Sequence, residues 1–180
     1  MEIIDQPHKH IKEFNFLSLL EFERLIHGIQ YLDWELYNKR TYIYKVCGID
    51  YENIYYKENR TIIEKFVSDE MITSLSKLFD LNIKRCNNFT LHKMEPGDYS
   101  LKHTDKNRNG EIARIVYYLS HPDSYDGGEL VLYSKNGKMI HEKIKMPPNS
   151  FIAFRLIDKF YHEVNKIESG IRYCAVATFI

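Results

Sequence analysis

Apolar positions change their period along the chain. Leu19, Phe22, Leu25, Ile26 and Ile29 recur three and four residues apart, the stripe of a helix with one buried face. Ser18-Leu19-Leu20-Glu21 supplies a capping box at its start, so a helix is predicted from there to near Gln30. Met71, Ile72, Leu75, Leu78 and Phe79 repeat the stripe and predict a second helix starting at Ser68. Between the two, Thr41 to Val46 alternates like a half-exposed strand. Residues 52–66 fit neither template and receive no element. Residues 1–13 are polar and are expected to be loosely held.

Beyond Asp80 the pattern becomes strand after strand. Asn87 to Met94 is extended, and Glu95-Pro96-Gly97-Asp98 turns the chain into Tyr99 to Asp105. A polar loop, KNRNGE (106–111), leads to the apolar run Ala113 to Leu119. A loop from His121 to Gly127 follows, then a strand from Glu129 to Tyr133. Asn136-Gly137 signals a hairpin. Pro147-Pro148-Asn149 turns into Phe151 to Phe154, and Arg172 to Phe179 is the last strand. Short strands at even spacing, preceded by helices, predict an antiparallel sandwich or jelly roll. No repeat interrupts the 180 residues, which are expected to form one domain (1–180). Within it, 1–82 would act as helical and strand support and 83–180 as the core.

Composition narrows the function classes. The 25 basic and 25 acidic residues balance, which gives no electrostatic reason to expect nucleic acid or an anionic membrane as partner. Fourteen tyrosines and ten phenylalanines favour strands. Seven of the tyrosines fall between Tyr31 and Tyr56, either as a substrate-facing lid or as plain strand surface with cross-strand aromatic pairs. Cys47, Cys86 and Cys174 are odd in number and widely spaced, which suits a reducing compartment. The start, MEIIDQPHKH, lacks a cationic segment followed by an apolar run, and no stretch approaches the roughly 20 apolar residues of a membrane span. A soluble, cytoplasmic protein is expected, its oligomeric state open.

The candidate chemistry lies at His103-Thr104-Asp105. A histidine and an aspartate two apart on an extended strand point to one face, two thirds of a facial iron(II) site. Three downstream histidines compete for the third place. His121 opens a polar loop and His141 sits in the charged run HEKIK, so both read as surface residues. His162, in YHEV, follows an apolar strand and a short loop, and in a jelly roll that region returns beside His103. Arg172 opens the last strand as a cationic fork suited to a carboxylate. Tyr118 is either a core tyrosine or a hydroxyl donor beside that fork.

The series HTD, YYLS, YDGGELVLY, PPNSFIAF, YHEV and GIRY, in this order from about Cys86 to Phe179, resembles the iron(II)- and 2-oxoglutarate-dependent dioxygenases, in their prolyl 4-hydroxylase-like branch. The resemblance implies a mainly β, α+β fold, with helices flanking a double-stranded β-helix (a jelly roll, cupin-like). It implies that His103, Asp105 and His162 are the iron ligands, and that Arg172 binds the far carboxylate of 2-oxoglutarate with Tyr118 as hydroxyl partner. It further implies iron(II), 2-oxoglutarate and O2, with ascorbate as reductant. The implied reaction is hydroxylation of an unactivated C–H bond, first of a prolyl residue in a protein or peptide. Alternatives are a free amino acid or small metabolite, a nucleic-acid demethylase, or a jelly-roll binding module without catalysis. The glycines of DGGEL (126–130) would turn the chain at the barrel rim, with Glu129 structural. Two positions depart from the family pattern. Thr178 stands where a tryptophan is frequent, and Met94-Glu95 stands where an arginine or tyrosine often precedes the Pro-Gly turn. Tyr99, four residues before His103, is expected to take a tyrosine's place near the co-substrate. The GDYSLK and KNRNGE loops flank the metal strand and are candidates to touch the substrate as well.

Overall fold

The computed structural model describes residues 1–49, 52–105 and 110–180. Most of the KNRNGE loop, with its expected place at the substrate, therefore lies outside the described residues. In chain order the elements are β1 (Glu2–Ile4), β2 (His10–Phe14), α1 (Leu19–Ile26), β3 (Glu35–Lys39), β4 (Tyr42–Gly48), α2 (Ile54–Val67) and α3 (Asp69–Phe79). There follow β5 (Cys86–Met94), β6 (Tyr99–His103), β7 (Ala113–Tyr118), β8 (Tyr125–Gly127), β9 (Leu130–Tyr133) and β10 (Ile140–Ile144). The last four are β11 (Ser150–Arg155), β12 (His162–Val164), β13 (Ile167–Gly170) and β14 (Arg172–Phe179).

A 12-stranded sheet runs β1-β2-β11-β7-β14-β5-β4-β6-β12-β9-β10, with β3 on β4, while β8 and β13 form a separate pair. All pairings are antiparallel, as a jelly roll requires. The sheet curls so that β5, β7 and β14 face β6, β9 and β12 across an interior. Alternation sorts the two faces of the central strands. Ile115 and Tyr117 of β7, Ala175, Ala177 and Phe179 of β14, and Phe89 and Leu91 of β5 pack on the helices. Their neighbours Arg114, Val116, Tyr118, Arg172, Cys174 and His92 face the interior. The helix layer is anchored by Phe66 of α2, which is wholly buried, with ring centroids 4.8 Å from Tyr117 and 5.0 Å from Phe16. Truncating it to Ala would cost about 3–5 kcal/mol.

The caps set the helices as expected. Ser18 and Glu21 form the reciprocal box of α1, and the Ser68 hydroxyl accepts from the Met71 amide to start α3. Three expectations are corrected. Helix α1 stops at Ile26, because Gly28 enters the left-handed region (φ 78°) and the chain continues as a short 3-10 turn over Ile29–Tyr31. Residues 1–13 are not loose, since β2 pairs with β11 and His10 and Ile11 are buried. Only the neighbouring strand reveals this, because HKHIKE has one apolar residue to alternate. The unassigned stretch is α2, capped by Asn53 and amphipathic only in part.

Candidate active site

Strands β6 and β12 pair with His103 opposite His162, which brings their ring centroids to 4.4 Å. Asp105, just beyond β6, reaches both: its Oδ1 is 3.4 Å from His103 Nε2 and its Oδ2 is 3.2 Å from His162 Nε2. The three donor atoms lie within 4.8 Å of one another. Each imidazole is oriented through its other nitrogen. His103 Nδ1 donates to the Leu101 carbonyl (2.7 Å) and His162 Nδ1 to the Phe160 carbonyl (3.1 Å). That arrangement places the proton on Nδ1 and turns the Nε2 lone pair toward the carboxylate. Burial pulls His162 down from its ordinary value, against the pull of Asp105, so the ring is held neutral. Burial would raise Asp105, but the Arg114 guanidinium, which donates to Oδ2, helps hold its carboxyl well below the carboxylate range. Two imidazole nitrogens and one carboxylate on a common face fit iron(II).

Asp105 has a partner that the sequence reading does not single out. Arg114 Nη1 donates to its Oδ2, and Arg114 Nη2 lies 3.5 Å from Glu111 Oε2. Glu111 in turn accepts from Asn87 Nδ2 at 3.4 Å. A signal was present, because Arg114 shares parity with Tyr118 along β7 and so had to face the interior.

The interior cavity holds about 340 Å³. Arg172, only 3% exposed, lies in its wall away from Arg114, with its guanidinium 5.1 Å from the centroid of the Tyr118 ring. Its Nη1 meets only two sulfurs, Met94 Sδ at 3.4 Å and Cys174 Sγ at 3.5 Å, and no carboxylate among the described residues pairs with it. Arg172 Nε and the hydroxyls of Tyr118 and Tyr125 are buried without a hydrogen-bond partner among the described residues. Burial pushes the Tyr118 phenol up to about 12, with Arg172 pulling the other way, so it stays a donor. A buried cation flanked by two unpaired hydroxyls is built for an anion that fits between them. Tyr125 was missed, although it immediately precedes DGGEL. In that segment Gly128 (φ 68°) packs so closely that an added Cβ would lie 3.1 Å from Arg172 Cδ and 2.4 Å from Ile167 Cδ1. Glu129 accepts from Asn165 Nδ2 at 3.1 Å, a structural bond.

Met94, one of the two departures from the family pattern, lies under the guanidinium, and Thr178, the other, lines the cavity. The Tyr31–Tyr56 segment contributes Tyr37, Tyr42 and Tyr44 to the wall, with the Tyr42 ring edge-on to His103 at 4.9 Å. Tyr99 is a correction, for it is not among the residues lining the cavity. Between Ser100 and His103 strand β6 carries one residue more than β12 does opposite, a β-bulge that reverses parity. Ser100 therefore shares His103's face and Tyr99 points away. His121 and His141 are both exposed at the surface, as expected.

A model of the 2OG-Fe(II) oxygenase superfamily matches residues 89–180. A 58-residue stretch is 36% identical to a PKHD-type hydroxylase of Pseudomonas putida (strain W619), covering 32% of this chain and only 24% of that curated relative. Two solved structures are similar across nearly the whole chain. One, a prolyl-4-hydroxylase of Pseudomonas putida, has a TM-score of 0.71 at 16% identity and covers 94% of this chain and 91% of that one. The other, a prolyl hydroxylase from Trichoplax adhaerens in complex with a hypoxia inducible factor peptide fragment, has a TM-score of 0.77 at 18% identity and covers 95% and 83%. At these identities the structural likeness is one of fold.

Proposed function

Because the chain belongs to the 2OG-Fe(II) oxygenase superfamily, we propose that it is an iron(II)- and 2-oxoglutarate-dependent hydroxylase with His103, Asp105 and His162 as the metal ligands. The observation that carries the assignment is the pairing, within one cavity, of that His-Asp-His cluster with the unpaired buried guanidinium of Arg172. When bound, iron(II) supplies the oxidising chemistry, in which 2-oxoglutarate is decarboxylated to succinate and one oxygen atom of O2 enters a C–H bond. The protein's part is binding, orientation and exclusion of water. His103 and His162 present Nε2 to the metal and Asp105 stays ionised. Arg172 takes the far carboxylate of 2-oxoglutarate as a two-pronged donor, and Tyr118 and Tyr125 give it hydroxyl bonds. In this reading residues 1–180 act as one dioxygenase unit, with 1–82 supporting the 83–180 core.

For substrate, a prolyl residue in a peptide or protein is the first choice. The aromatic wall of Tyr37, Tyr42 and Tyr44 beside His103 suits a ring held in an extended chain, and the Trichoplax relative was solved with a peptide. A free amino acid or small metabolite is the second choice. Purified protein with iron(II), 2-oxoglutarate and ascorbate as reductant should form succinate slowly without substrate, and faster with a proline peptide that gains 16 daltons. No turnover, together with no metal-dependent 2-oxoglutarate binding by calorimetry, ends the enzyme reading. A mass gain on free amino acids alone replaces the peptide with the second choice.

A further inference from the structure

Asp105 is the least supported of the three ligands by its own chain. His103 and His162 belong to paired strands, whereas Asp105 lies past the end of β6. Its carboxylate is nevertheless buried and held from across the barrel. Arg114 sits on β7, flanked on both sides in the ladder: its register partners are Phe154 of β11 and Thr178 of β14. From that restrained backbone Arg114 Nη1 takes Asp105 Oδ2. Its other amino group faces Glu111, itself buried and bonded to Asn87. The arginine thus has two acids, and the second keeps it in place whatever the first is doing.

Resting on the metal-site reading above, we propose that Arg114 is a positioning residue: by occupying Oδ2 it leaves Asp105 to offer the metal a single oxygen, Oδ1, and Glu111 steadies Arg114 in that task. The local charges agree with a dication as guest. Asp105 and Glu111 carry two negative charges against the one positive charge of Arg114, leaving the ligand side of the cavity anionic before metal arrives. A carboxylate without this partner would be free to rotate and chelate through both oxygens, using a position that co-substrate or substrate needs.

The test is metal binding by the whole chain without turnover. Mn(II) affinity is read by calorimetry, and the visible bands of the Co(II) form report ligand geometry. Arg114→Gln should lower Mn(II) affinity about tenfold or more and shift the Co(II) bands, while Arg114→Lys should recover part of the loss by keeping a cation near Oδ2. A folded Arg114→Gln protein with affinity within twofold of wild type, or with lowered affinity but unmoved Co(II) bands, overturns the inference. If Arg114→Gln does not fold, Glu111→Gln decides: a loss of about threefold supports it and no change overturns it. A wild-type chain that binds no Mn(II) overturns the metal-site reading and this inference with it, whereas normal wild-type binding with an indifferent Arg114→Gln removes only the role of Arg114.

Discussion

Arg114 and Arg172 line the same cavity and have opposite circumstances. Arg114 has two carboxylates within reach, and Arg172 has two sulfur atoms and the face of a tyrosine. The difference separates two uses of a cation in a cavity wall, half-buried in Arg114 and fully buried in Arg172. A guanidinium whose bonds are already made organises its neighbours. One whose charge is stranded in a low-dielectric wall costs stability and is retained for a ligand that arrives later.

The sharpest way to break the contrast is to remove the acid at its centre. Asp105→Ala takes a ligand from the metal site and one of the two acids from Arg114, leaving that half-buried arginine with Glu111 alone. Succinate formation should disappear. Measurable turnover would mean that the metal lies elsewhere. Arg172→Met should separate the two arginines cleanly. Affinity for 2-oxoglutarate should fall roughly 10- to 100-fold, with Mn(II) affinity unchanged. Because the lost charge was unpaired, the ligand-free variant should be more stable by about 1–3 kcal/mol in denaturant unfolding. A less stable variant would show that Arg172 is satisfied in the free protein.

His92 lies on the cavity face of β5 and feels both arginines. Burial, then Arg114 and Arg172, lower it to about 3, while its ring stacks on Tyr44 with centroids 4.8 Å apart. The folded state therefore refuses a proton that the unfolded chain accepts below about pH 6.5. Stability from this group is full above that pH, is lost as pH falls toward about 3, and declines by at most about 1.4 kcal/mol per pH unit. His92→Phe should flatten the slope between pH 6 and 4, read from unfolding midpoints; an unchanged slope would assign it to other groups. The smallest effect belongs to His141→Ala, which should leave turnover intact. A loss there equal to that of His162→Ala would move the third ligand.

What the sequence disclosed follows from how local each cause is. The caps of α1 and α3 depend on residues three apart and were legible. So was the inward face of β14, where alternation carries Arg172 to the cavity. The register that sets His162 opposite His103 was reachable only through the order of the strands. Arg114 with Glu111, and Tyr125 with Arg172, depend on which side chain meets which across the barrel, and no spacing announces that. Strand β2 was hidden because β11 supplies its apolar context, and α2 because IYYKENRTIIEKFV mixes aromatic and β-branched residues into a polar helix. Tyr99 was misplaced by a rule that holds for a regular strand and fails at an irregular one.

That irregularity gives β6 one residue of slack. Three steps along it, from Ser100 to His103, span the two steps from Val164 to His162, and the surplus is carried by Leu101 and Lys102, both open to solvent. Deleting either would straighten the strand while leaving Ser100 and His103 facing inward, so the usual fear of a one-residue deletion inside a strand is misplaced here. What would change is the carbonyl of Leu101, which now sits under His103 Nδ1 at 2.7 Å and sets which nitrogen carries the proton. The length of this strand, more than its lettering, therefore tunes the site: a shortened β6 would still aim its histidine at the metal but hold it less firmly.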